Sequence, residues 1–146
     1  MKTVIIGGGS LDADVANSVI GNEECLLIAA DRGLDYCRLI HRKPDVAIGD
    51  FDSVSTGTRN LLDSIEEKGV KLIRLNPEKD DSDLEAALDY VLENTVEGDI
   101  YLLGATGTRL DHVIGNLSLL RLAARHDRHC YIVDRNNRIR LIRGGE

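Results

Sequence analysis

Aromatic residues are scarce: 146 residues contain no tryptophan, one phenylalanine and four tyrosines. A single-stranded nucleic-acid binder stacks bases on such rings, so that class is disfavoured. A positive excess is missing too. The formal net charge is -7, which argues against a general polyanion binder and predicts no nucleic-acid partner. No apolar run approaches the roughly 18 residues needed to span a bilayer, so no membrane partner is expected. Cysteines are few and odd in number. Cys25, Cys37 and Cys130 are scattered in apolar settings and read as small buried hydrophobes in a reducing compartment, not as disulfides or a zinc site. The N-terminus opens directly into a strand pattern with no signal peptide, and the expected location is cytoplasmic. There is no repeat, low-complexity stretch or linker. What is present is ordinary: 42% hydrophobic and 29% charged residues, enough for one domain with a core.

β-branched or apolar runs alternate with amphipathic stretches. Strands are expected at Lys2 to Ile6, Glu24 to Ala30, Asp45 to Ile48, Val70 to Leu75, Asp99 to Leu103 and His129 to Val133, with Arg138 to Ile142 a seventh extended stretch. Helices are expected at Asp12 to Val19, Leu34 to His41 and Ser55 to Lys68, and after Ser82, where Ser82 and Glu85 fit a capping box. A last helix starts at Leu110, with Leu110, Val113, Ile114, Leu117 and Ala124 as its apolar face. The alternation predicts an α/β fold: a Rossmann-like three-layer α/β/α sandwich around a mostly parallel sheet of about six strands.

The turns after the strands hold the chemistry. Gly49-Asp50-Phe51-Asp52-Ser53 places two aspartates one residue apart, and in an extended segment both carboxylates aim at one point. Such close anions favour a hard cation such as Mg²⁺, which brings phosphates with it; the plainer explanation is an Asx turn. Gly7-Gly8-Gly9-Ser10 fits either a phosphate approach or a tight turn. Asp31-Arg32 offers a phosphate fork or a helix cap. Residues 76–83, which include Lys79, Asp80, Asp81 and Asp83, form a second acidic knot. Gly104-Ala105-Thr106-Gly107-Thr108-Arg109, followed by Asp111 and His112, is the best anion site, with Thr108 as an alternative N-cap. In a parallel sheet these turns share one edge, so the expected chemistry is Mg²⁺-dependent transfer or hydrolysis at phosphorus.

Three blocks then resemble the catalytic domain of the thiamin pyrophosphokinase family, bacterial type. They are Ala30-Asp31-Arg32-Gly33 with Gly49-Asp50-Phe51-Asp52-Ser53; residues 77–85; and residues 104–112 with Asn116. The resemblance implies transfer of the diphosphoryl group of ATP to the hydroxyl of thiamin, giving thiamin diphosphate and AMP. It matches Asp50, Asp52 and Asp83 to acids associated with Mg²⁺. Asp31, Arg32, Gly33, Lys79, Gly104, Thr106, Thr108, Arg109 and Asp111 match positions lining the crevice, and Asp111 or Asp81 is the candidate proton acceptor. The family's homodimers and second, all-β domain imply that residues 1–137 form the ATP/Mg-binding catalytic domain. Residues 138–146 would then begin a C-terminal β-domain that is otherwise absent, so the chain alone is expected to turn over little. The alternatives are a diphosphokinase for another alcohol such as a hydroxymethyl pterin, a nucleotide-binding module without turnover, and a phosphohydrolase.

Overall fold

The structure, a computed structural model, describes residues 1–52, 54–76 and 82–145. Seven strands form one sheet: β1 (Lys2–Ile6), β2 (Cys25–Ala30), β3 (Val46–Gly49), β4 (Lys71–Arg74), β5 (Ile100–Leu103), β6 (Cys130–Val133) and β7 (Arg138–Arg140). Their order is β4-β3-β2-β1-β5-β6-β7. All neighbours run parallel except β6 and β7, which pair antiparallel with Ile132 opposite Ile139. The seventh strand is the one expected at Arg138 to Ile142, here shorter and at the sheet's edge. The chain winds outward from β1 to β4, then returns to lay β5 on β1's other side. The chain therefore leaves β1 and β5 for helices on opposite faces, and such a reversal opens a crevice at the strands' C-terminal ends.

Among the described residues six helices cover both faces, as the alternating pattern predicts. Alternation along β1 explains this: Ile5 packs on one side, Val4 and Ile6 on the other. The Ile5 side is covered by α5 (Asp83–Asn94) through Leu84, Ala87, Leu88 and Val91, and by α6 (Leu110–Arg125) through Leu119, Leu120 and Ala123. The other side is covered by α1 (Ala13–Ile20) and α2 (Gly33–Leu39), with α4 (Leu62–Glu67) adding Leu62. Asp12 caps α1 by accepting from the Val15 amide at 3.0 Å, and Ser82 caps α5 by accepting from the Glu85 amide at 3.1 Å. Among the described residues no helix is long and apolar enough to cross a membrane.

Two helices depart from expectation. The single helix over Ser55 to Lys68 is two: α3 (Thr56–Asn60) and α4, broken at Leu61. Thr56, Gly57 and Thr58 are weak helix formers, and Ser55 and Thr58 are tied sideways to Asp35 of α2. In α6 the expected apolar face is only partly inward. Leu110 and Ile114 are 69% and 59% exposed, Leu117 is exposed too, and burial begins at Leu119. The first half of α6 runs beside the crevice instead of over the sheet.

Both sheet edges are basic. The outermost strand β4 starts with Lys71 and ends with Arg74, and β7 starts and ends with Arg138 and Arg140. Lys71 Nζ lies 5.4 Å from the Tyr90 ring centre, and the Arg138 guanidinium 4.6 Å from that of Tyr131.

Candidate active site

A cleft of about 840 Å³ opens at the reversal point. Its floor is made by the loops after β1 and β5, which are stitched together. The Gly7 amide donates to Leu103 O, Gly9 to Gly104 O and Ser10 to Thr106 O, each at 2.7 Å. Glycine makes this approach possible. A Cβ on Gly9 would lie 2.5 Å from Gly104 O and closer still to Thr106 O. Gly104 has φ +64 and faces the Gly7 carbonyl. The Gly9 and Ser10 amides are spent on this seam, so the glycine loop is the tight turn of the two sequence readings. Tyr36 locks it by donating its hydroxyl proton to Gly9 O at 2.7 Å.

Three carboxylates meet beside the cleft. Asp31, Asp50 and Asp83 each present an oxygen, all within 4.8 Å of one another. Asp31 follows β2, Asp50 follows β3, and Asp83 opens α5. The register explains the first pair: Ala30 sits opposite Ile48, so the residues after these two strands emerge side by side. Asp31 is 9% exposed and left-handed, at φ +48. Gly49 makes room for it, since a Cβ there would lie 3.1 Å from the Asp31 Cα, Cβ and Oδ1. The donor set is hard and anionic, as Mg²⁺ prefers. The three oxygens lie close enough together for one small ion to gather them as ligands. The residues present fit such an ion.

Asp52 is not among these three. The expectation that Asp50 and Asp52 aim at one point assumed an extended segment, but Phe51 between them has φ +63 and its ring is buried. A left-handed non-glycine residue costs about 1–2 kcal/mol, here offset by burial of the ring. The bend directs Asp50 to Asp31 and leaves Asp52 exposed. The Asp52 amide donates to Asp50 Oδ1 at 2.9 Å, so the plainer Asx turn and the carboxylate cluster coexist on Asp50. The i, i+2 spacing singles out Asp52 and not Asp31, whose place in the cluster comes from the parallel β2–β3 pairing.

The remaining expected residues fall as follows. Arg32, Gly104, Thr106, Thr108, Arg109 and Asp111 line the cleft. Gly33 lies beneath it, where a Cβ would overlap Ile6 O and sit 2.7 Å from Ile6 C. Lys79 and Asp81, with Ser53, lie outside the described residues. Thr108 does not cap α6: Arg109 occupies that position and makes no side-chain capping bond. Arg109 turns instead to Asp111, Nη2 to Oδ2 at 2.7 Å. That guanidinium holds the Asp111 carboxyl below the usual range. Both side chains are about two-thirds exposed, so the pair is weak and can exchange partners.

Further residues complete the scaffold. Asn116 Nδ2 donates to Ala105 O at 2.8 Å, tying the loop after β5 to α6. Thr106 donates to Asp134 Oδ2 at 2.9 Å. Burial raises the Asp134 carboxyl, but donors from Asn137, Asn136 and Thr106 bring it below its usual range. Tyr36 and Asp134 were missed in the sequence. Asp134-Arg135 repeats the strand-then-Asp-Arg pattern of Asp31-Arg32, and that repetition could have found it.

Known proteins give the arrangement its context. The family model described as thiamin pyrophosphokinase, catalytic domain, matches residues 18–132. The thiamine pyrophosphokinase of Bacillus subtilis is 33% identical over 147 residues, covering 100% of this chain and 67% of that protein. Its crystal structure superimposes with a TM-score of 0.79 at 28% identity, covering 92% of this chain and 61% of that one. The thiamin pyrophosphokinase from Geobacillus thermodenitrificans gives 0.76 at 35% identity, covering 92% and 60%. The chain thus spans about three-fifths of the length of those solved relatives.

Proposed function

The chain belongs to the thiamin pyrophosphokinase catalytic-domain family, and from that premise we propose that it is the nucleotide- and metal-handling part of a thiamin diphosphokinase. The reaction moves the diphosphoryl group of ATP to the thiamin hydroxyl. The bond between the α-phosphate bridging oxygen and Pβ breaks, and AMP leaves with that oxygen. A bond from the thiamin oxygen to Pβ forms, and the hydroxyl proton passes to a carboxylate. The observation that carries this reading is the meeting of Asp31, Asp50 and Asp83 at the cleft of the sheet's reversal point.

Those three acids would hold Mg²⁺, with Asp52 held in reserve as a ligand through water. When bound, the ion neutralises charge on the phosphate oxygens. Arg32 and Arg109, which both line the cleft, orient the phosphates, with Lys79 a third cation. The N-terminus of α6, which has no side-chain cap, offers amides and partial positive charge to the same anion. When Arg109 turns to phosphate it releases Asp111, whose carboxylate can then accept the thiamin proton; Asp81 is the other candidate. Gly33, Gly104, Thr106 and Thr108 shape the backbone around the nucleotide.

Residues 1–137 serve as the ATP- and Mg²⁺-binding catalytic domain, whose sheet β7 extends by one antiparallel strand. The exposed Leu110, Ile114 and Leu117 support pairing as a homodimer. The free cysteines, with the Cys37 and Cys130 thiols pushed by burial to about 12, support a cytoplasmic setting. Titration calorimetry with a non-hydrolysable ATP analogue tests the reading. Binding is expected to require Mg²⁺ and to weaken at least about tenfold in Asp50→Asn and Asp83→Asn. Equal affinity with and without the ion would refute it.

A further inference from the structure

We propose that Arg59 is a positioning residue for the carboxylate cluster: from α3 it clamps the bent turn that carries Asp50, and α2 anchors the clamp through Asp35. This rests on the reading of the cluster as a cation site.

The turn has two ways to run. Extended, it would put Asp50 and Asp52 on one side, as their spacing suggests, and leave Asp31 out. Bent at Phe51, it turns Asp50 to Asp31 and Asp83. Successive carbonyls of an extended strand point to opposite sides, so one nitrogen reaches two of them only where the chain is bent. Arg59 Nη2 reaches both, donating to Phe51 O at 3.2 Å and to Asp52 O at 2.6 Å. Its bonds exist only in the bent form and hold it there. The guanidinium of Arg74, 5.8 Å from the Phe51 ring centre, covers the turn from β4.

A five-residue helix does not hold itself in place, so the clamp needs an anchor. Asp35 supplies it. Its carboxylate accepts from the Ser55 amide at 3.0 Å, from the Ser55 hydroxyl at 2.9 Å and from the Thr58 hydroxyl. Arg38 Nη1 donates to Thr58 Oγ1 at 2.8 Å. Thr58 is buried, while Arg59 beside it is exposed. Removing the arginine side chain therefore opens no cavity in the core.

The clamp and simple electrostatics predict opposite signs. Arg59 is a cation near a cation site, so deleting its charge alone would tighten metal binding. Deleting a clamp loosens it. Mn²⁺ binding to the 146-residue chain, followed by the paramagnetic resonance signal of the free ion, separates them. Arg59→Ala is expected to weaken Mn²⁺ binding about tenfold, with its melting midpoint close to the parent's. Arg59→Lys keeps the charge and a donor and is expected within about threefold of the parent. Where the alanine variant does not fold, Arg59→Gln is judged by the same tenfold measure. Parent-like or tighter binding by Arg59→Ala overturns the clamp, as does an Arg59→Lys as weak as alanine. Asp50→Asn is the control: if it also binds Mn²⁺ like the parent, the cation site itself is refuted, and the clamp with it.

Discussion

The seam between the loops after β1 and β5 gives a sharp test, because a single methyl group at Gly9 should split it. The φ of Gly9 lies outside the left-handed range, so alanine suffers no backbone strain and the whole effect is steric. The new Cβ would lie 2.5 Å from Gly104 O, whereas carbon and oxygen settle at about 3.3 Å. The loops must therefore part by roughly 0.8 Å, and by more at Thr106 O. Two 2.7 Å bonds, Gly9 to Gly104 and Ser10 to Thr106, stretch to the limit of hydrogen bonding. Each is worth about 1 kcal/mol, and half-buried partners left unsatisfied add to this, giving roughly 2–4 kcal/mol in all. For a chain of this length that is a fall of about 10 °C in melting temperature. Gly115→Ala is the matched control: it is a mid-helix glycine with nothing within 4 Å of an added Cβ, and it should gain about 0.5–1 kcal/mol. Thermal melts followed by circular dichroism, with nucleotide titrations alongside, make the comparison. If Gly9→Ala melts within about 2 °C of the parent and binds nucleotide equally well, the seam does not shape the cleft.

Acid and thiol chemistry supply two more predictions. Burial raises the Asp35 carboxyl, but donors from Thr58 and Ser55 outweigh it, so its folded-state pKa lies below the ordinary value. Its contribution is complete above the unfolded pKa of about 3.9 and is lost as pH falls through the folded value. Urea midpoints should thus drop more steeply on acidification in the parent than in Asp35→Asn, and parallel curves would refute the assignment. Among the thiols, Cys37 and Cys130 are pushed to about 12 by burial, while Cys25 is raised less and is only partly buried. A chromogenic disulfide reagent near neutral pH should titrate Cys25 first and reach the other two only on unfolding.

Much of this was legible in the sequence because its signals were local or periodic. Asp12 and Ser82 cap the helices they precede, and strand-helix alternation placed the post-strand turns on one edge. What was not legible depended on neighbours distant in the chain. Asp31 meets Asp50 because β2 and β3 pair in parallel at Ala30 and Ile48, a register that no local pattern encodes. The buried Phe51 bends the chain where spacing implied a straight run. The apolar positions at the start of α6 have helical period, but period says only that a face exists, not what covers it.

The basic rims of the sheet have a consequence for solubility. A strand edge is a template on which another strand can grow, and stacking through edges is a common route to insoluble aggregates. Lys71 and Arg74 on one border, and Arg138 and Arg140 on the other, meet any second copy with matching positive charge. The rings of Tyr90 and Tyr131 hold two of these cations in station, so the guard is fixed in place. An acidic protein thus keeps four of its 18 Lys and Arg residues where they block fibre-like growth. Replacing them with valine would be a direct way to make this chain precipitate.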